Sequence, residues 1–217
     1  MRMGKLLATC LLASAAFAQP PSPTAAGSAE KTIVFLGDSM SAGLGVRPEE
    51  SFPSLIAEKI RTAGLPFEMV NAGVSGDTSA GGLRRIDWLL QRKIDVLVIE
   101  LGANDGLRGM PAASLKNNLE AINDKAKAKY PQIKIVIAGM QLPPNLGAPY
   151  SADFEKVFAE VAKEKNAALI PFLLSGVGGR RDLNQPDLIH PTAAGHKIIA
   201  ETVWQIIEPI LRQKPTQ

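Results

Sequence analysis

The chain has 217 residues, with 24 Lys and Arg against 21 Asp and Glu, for a formal charge of +3. Two of the positive charges, Arg2 and Lys5, and the single cysteine, Cys10, fall within the first 18 residues. Without that stretch the charge is +1, which points to neither a nucleic acid nor a strongly acidic partner. A chain starting at Gln19 has no cysteine left for disulfides, thiol nucleophiles or thiolate metal ligands.

The opening stretch MRMGKLLATCLLASAAFAQP is expected to be an export signal over residues 1–18. Arg2 and Lys5 precede an apolar run that ends in the small-x-small pattern Ala16-Phe17-Ala18. The run is too short to span a bilayer, which needs about 20 residues, so no stable membrane insertion is expected. Cys10 follows Leu-Ala-Thr but lies inside the apolar run rather than at its end, which disfavours a lipid anchor. Residues 19–31, QPPSPTAAGSAEK, carry three prolines and no large apolar side chain and are expected to form a disordered tether. Residues 32–217 then suit a single domain, long enough to bury about 70% of the surface of its unfolded chain.

From Thr32 onward, short apolar runs alternate with longer segments of helical spacing. Strands are expected over Thr32–Leu36, Phe67–Val70, Ile94–Leu101, Ile133–Ala138 and Ala168–Pro171. Helices are expected over Leu55–Ala63, Thr78–Gln91, Leu115–Lys129, Ser151–Lys165 and Thr192–Leu211. Continuous apolar runs suit strands buried on both faces, as in a parallel sheet covered by helices. In the fourth helix Phe154, Val157, Phe158 and Val161 form one stripe. In the last, Ile199, Val203, Ile206, Ile207 and Ile210 do so, and Pro209 is expected to bend or end it. The alternation implies an α/β fold, a three-layer α/β/α sandwich around a five-stranded parallel sheet.

In such a sheet, ligands bind beyond the carboxyl ends of the strands. The first strand is followed by Gly37-Asp38-Ser39, the second by Asn71-Ala72-Gly73-Val74-Ser75-Gly76-Asp77-Thr78, and the third by Gly102-Ala103-Asn104-Asp105-Gly106. The last helix is preceded by Asp187-Leu188-Ile189-His190-Pro191. A serine nucleophile needs a base, an acid to orient the base, and donors for an oxyanion. Only His190 and His196 can supply the base. His196 falls early in the last helix, where a surface or capping role is the simpler reading. His190 precedes a proline, which biases it toward an extended loop, and Asp187 is three residues upstream. Gly-x-Ser-x-Gly does not match, because Ser41 holds the fifth position, so a donor beyond the usual backbone amides is needed. Asn104 offers a side-chain amide and Gly76 an accessible backbone N–H. Each of these residues is also common in ordinary turns; their convergence on one edge is what favours catalysis.

The blocks VFLGDSMSAG, NAGVSGDTSAGGLRR, VLVIELGANDGLRG and DLIHPTAAGH resemble, in order, the four blocks of the SGNH (GDSL-type) hydrolases, most of all the periplasmic thioesterase I, lysophospholipase L1 and arylesterase subgroup. The resemblance runs from about Thr32 to Leu211. It implies a flavodoxin-like sheet of order 2-1-3-4-5, with Ser39 as nucleophile, His190 as base and then acid, and Asp187 orienting His190. The oxyanion hole would be the Ser39 amide, the Gly76 amide and the Asn104 side chain. Gly73 competes with Gly76, but the Ser-Gly-Asp-Thr context favours Gly76. Met40 replaces the usual Leu, an exchange that packing tolerates. No metal and no organic cofactor are implied. Expected substrates are aryl esters, acyl thioesters and lysophospholipids, with Leu107, Met110 and the segment Gln141–Tyr150 walling an acyl pocket; a carbohydrate O-acetylesterase is the nearest alternative. A rival of another class is a non-catalytic periplasmic protein that binds its ligand in the same crevice.

Overall fold

The computed structural model describes residues 31–213, so the expected signal and nearly all of the expected tether lie outside the described residues. Strand β1 (Lys31–Gly37) leads into a one-turn helix α1 (Ser39–Ala42) and then α2 (Phe52–Thr62). There follow β2 (Phe67–Gly73), α3 (Ser79–Leu89), β3 (Val96–Glu100), a second short helix α4 (Ala103–Leu107) and α5 (Ala112–Lys129). The chain continues through β4 (Lys134–Ala138), α6 (Ala148–Glu164), β5 (Ala168–Ile170) and α7 (Ala193–Leu211). The five strands form one sheet of order β2-β1-β3-β4-β5, and every pairing is parallel. Helices α2 and α7 pack together on one face, and α3, α5 and α6 on the other.

Burial follows position in the sheet. Residues of the central strands β1, β3 and β4 are almost all inaccessible, whereas edge strand β2 buries only Phe67. The expectation of burial on both faces therefore fails for β2, because one of its sides has no neighbouring strand. Aromatic contacts tie the layers together. Phe35 of β1 meets Phe52 of α2 edge-on at 5.6 Å, and Phe154 meets Phe158 within α6 at 5.3 Å. The α6 stripe is buried throughout; in α7, Ile199, Val203 and Ile207 are buried while Ile206 and Ile210 lie at its margin.

Two details differ from expectation. Helix α7 does not end at Pro209 but continues to Leu211, since a proline in the final turn removes only one hydrogen bond. His196 is 1% exposed and belongs to the core, not the surface. Its ring stacks on Phe52, and its Nδ1 accepts the Phe52 N–H at 3.2 Å, so it caps the first turn of α2 rather than its own helix. Burial lowers its pKa from 6.5 to about 4, which keeps it neutral in that role.

The register sets the stage for the site. Gly37 lies beside Gly73 on one side and Glu100 on the other, so β1, β2 and β3 end at the same level. The turns that leave these three strands consequently start side by side.

Candidate active site

The turn that carries Ser39 is built from the end of β1. Asp38 caps α1: its Oδ1 accepts the Met40 N–H at 3.0 Å, and Gly43, at φ 72°, closes the helix. Ser39 is thereby held as the first residue of a single helical turn, 7% exposed. Beneath it, Glu100 ends the otherwise apolar β3 in full burial. Its Oε2 accepts the backbone N–H groups of Asp38 and Ser41, both at 3.2 Å, and the Ser41 hydroxyl at 2.7 Å. Two amides flanking Ser39 are thus fixed by one carboxyl group. Burial and the neighbouring Asp38 raise the Glu100 pKa well above the usual carboxylate range, and its Oε1 has no hydrogen-bond partner. Burial also pushes Asp38 up to about 6, against the lowering effect of the donors from Met40 and Asn104.

His190 reaches the same point from the opposite end of the chain. Its Nε2 lies 2.9 Å from Ser39 Oγ, and its Nδ1 lies 2.6 Å from Asp187 Oδ2. An ionised carboxylate only accepts, so Nδ1 carries the proton and Nε2 is left to accept from the serine hydroxyl. The other oxygen, Asp187 Oδ1, accepts the N–H groups of Ile189 at 2.9 Å and His190 at 3.0 Å. Desolvation acts to raise the Asp187 pKa, but the His190 ring and these two amides outweigh it and hold the carboxyl at about 2. The turn requires Leu188 at φ 58°, in the left-handed region, at a cost on the order of 1–2 kcal/mol for a residue with a Cβ. Asp187, Leu188 and His190 thus form a compact loop that folds the carboxylate back onto the imidazole.

The remaining candidates come from β2 and β3. Asn104, the second residue of α4, donates both hydrogens of its side-chain amide, to Asp38 Oδ2 at 3.1 Å and to the Asp77 carbonyl at 2.9 Å. It therefore stands between the serine turn and the Gly76 loop. Gly76 has φ 79°, and its carbonyl accepts from Arg108 Nη2 at 2.9 Å. Gly73 serves a different purpose. Its N–H is committed to Asn71 Oδ1 at 2.9 Å, and a Cβ there would come within 2.3 Å of the Ala42 nitrogen. Gly73 lets α1 pack against the end of β2, which leaves Gly76 as the glycine on the open side.

Arg85 ties the platform together. Its guanidinium donates to Asp77 Oδ2 at 2.7 Å, to the Ala72 carbonyl at 2.6 Å and to the Gly37 carbonyl at 2.9 Å. One fork thus joins the last turns of β1 and β2 to the loop beside Gly76. Asp105 plays a similar part for α3, accepting from the Ser79 N–H at 2.8 Å and the Ser79 hydroxyl at 2.5 Å.

A cleft of about 400 Å³ opens by Met40 and Ile189, the chain neighbours of Ser39 and His190. Leu107 and residues 141–143 line it, as expected, but Met110 and residues 145–150 of the expected wall do not. Its walls also include Met40, Phe172, Leu174 and Leu188. Met40 thus combines packing under the serine turn with a place on the cleft wall. Sequence reasoning passed over Glu100, Arg85 and Phe172. For Glu100 a signal existed: it is one acid at the end of the wholly apolar run VLVIE. Arg85 and Phe172 carry no comparable mark.

Residues 35–198 match the model of the GDSL-like lipase/acylhydrolase family. Esterase TesA of Pseudomonas aeruginosa is 43% identical over 84% of this chain and 90% of that protein. Thioesterase 1/protease 1/lysophospholipase L1 of Escherichia coli K12 is 33% identical over 84% of this chain and 86% of that protein. Among solved structures, the psychrotrophic esterase EstA from Pseudoalteromonas sp., inhibited by monoethylphosphonate, superposes with a TM-score of 0.79 at 35% identity, covering 84% of this chain and all of that one. With its fold, the order of its sheet and most of its length accounted for, the chain belongs to the GDSL-like lipase/acylhydrolase family.

Proposed function

We propose that this protein hydrolyses carboxylic esters and thioesters of acyl chains through an acyl-enzyme on Ser39. The observation that carries the reading is the continuous chain Ser39 Oγ to His190 Nε2 at 2.9 Å and His190 Nδ1 to Asp187 Oδ2 at 2.6 Å. His190 takes the Ser39 proton as Oγ attacks the carbonyl carbon, and Asp187 stabilises the imidazolium that forms. The developing oxyanion is held by the Ser39 and Gly76 amides and by Asn104, which redirects one amide hydrogen from its resting acceptors. His190 then gives its proton to the departing alcohol or thiol. Water, deprotonated by the same imidazole, attacks the acyl carbon, and collapse of the second tetrahedral intermediate releases the acid and restores Ser39.

The apolar cleft beside Ser39 favours an acyl chain over the acetyl group of a carbohydrate ester. Acyl thioesters and lysophospholipids present such a chain, in keeping with the names of the relatives, and an aryl ester does so when its acyl group is long. The leader over residues 1–18 would deliver the protein to the periplasm. The test is turnover of a p-nitrophenyl ester series. Wild type prefers chains longer than acetyl, and Ser39→Ala lowers kcat by several orders of magnitude with the fold intact. Near-normal turnover by the variant would end the acyl-enzyme reading.

A further inference from the structure

Among the described residues, six large apolar side chains are substantially exposed. Five of them stand in the segments at the carboxyl edge of the sheet, Leu107 as the last residue of α4 and Leu44, Val74, Met110 and Leu188 in loops, exposed between 38% and 49%. The sixth, Trp88, lies near the far end of α3, which as a crossover helix returns it to the opposite edge.

Hydrogen bonds tie Leu44 and Val74 to the serine turn, and Leu44 to Leu188 through Gln185. The Leu44 N–H donates to the Ser39 carbonyl, and the Leu44 carbonyl accepts from Gln185, whose own carbonyl accepts the Leu188 N–H. The Val74 N–H donates to the Gly37 carbonyl, two residues before the nucleophile. Leu107 precedes Arg108, which holds Gly76, and the Met110 carbonyl accepts from Tyr150 at 2.7 Å. Leu107 and Leu188 also line the cleft, so the exposed rim and the apolar cleft share two residues.

We propose that this rim docks the enzyme on the surface of an aggregated amphiphile, a micelle or bilayer face, from which the acyl chain passes directly into the cleft. The inference rests on the ester hydrolase reading above. Exposed apolar groups concentrated around one opening mark an interaction surface. A protein seated there would cover the mouth of the cleft, whereas an amphiphile surface covers the rim and supplies substrate through it. The exposed guanidinium of Arg108 stands at the same rim, suited to a phosphate-bearing headgroup.

The test measures rate against concentration of a lysophosphatidylcholine across its critical micelle concentration, with a soluble p-nitrophenyl ester as the monomeric control. For wild type the rate breaks upward at the micelle threshold. In a Leu44→Ser, Val74→Ser, Met110→Ser triple variant, whose sites lie outside the cleft, the rise above threshold falls about tenfold or more while monomer turnover is kept. Normal monomer turnover with no break in wild type, or a break that survives in the variant, overturns the docking proposal. Loss of monomer turnover in wild type would instead strike the hydrolase reading beneath it.

Discussion

Asn104 commits both amide hydrogens, to Asp38 and to the Asp77 carbonyl, before any substrate arrives. That engagement holds the amide in place, and an oxyanion formed at Ser39 would offer it a charged acceptor in place of the neutral Asp77 carbonyl. Asn104→Ala is accordingly predicted to lower kcat by about 10² to 10³ with little change in KM; steady-state kinetics on a p-nitrophenyl ester checks this, and a loss confined to KM would make Asn104 a substrate-positioning group. That Ser39, Asp187 and His190 meet was legible in the sequence because histidine is scarce in this chain and the spacing of Asp187 and His190 permits a tight turn. The left-handed backbone of Leu188 was not, since nothing in a leucine side chain favours that conformation. Glu100 stood out as an acid in an apolar run, but its hold on the amides of Asp38 and Ser41 depends on the register between β1 and β3.

Elements were readable where their pattern was long. The alternation of apolar runs and helical stripes located all five strands and the five long helices to within a few residues. The one-turn helices α1 and α4 were missed because four or five residues carry no periodicity, and both follow a strand directly at the site. His196 shows how tertiary packing overrides local position: near the start of α7 it reads as a surface residue, yet α2 closes over it. Its depressed pKa gives a signed prediction. The unfolded chain takes up the proton near 6.5 and the folded one only near 4, so the stability from the neutral ring is complete above 6.5 and is lost as pH falls toward 4. Between about pH 8 and about pH 5 this amounts to ~2 kcal/mol. Denaturant titrations should show His196→Asn, which keeps an acceptor for the Phe52 N–H, losing less stability over that window than wild type. Equal losses would contradict the assignment.

At the scale of the whole molecule, parallel topology and equal strand ends do most of the work. Because β1, β2 and β3 finish in register, residues as distant in sequence as Ser39, Gly76 and Asn104 begin from one level, and the segment before α7 returns His190 to it. Arg85 then locks the ends of β1 and β2 to the Gly76 loop. The same frame would serve a protein that merely binds a ligand in the crevice, and the difference between the two is whether Ser39 reacts. The most direct measurement is treatment of the protein with a fluorophosphonate followed by peptide mass spectrometry. A single phosphonyl group on Ser39, absent from the Ser39→Ala variant and strongly reduced by His190→Ala, is the predicted result. An unmodified Ser39 in folded protein, or label spread equally over other serines, would contradict the acyl-enzyme account.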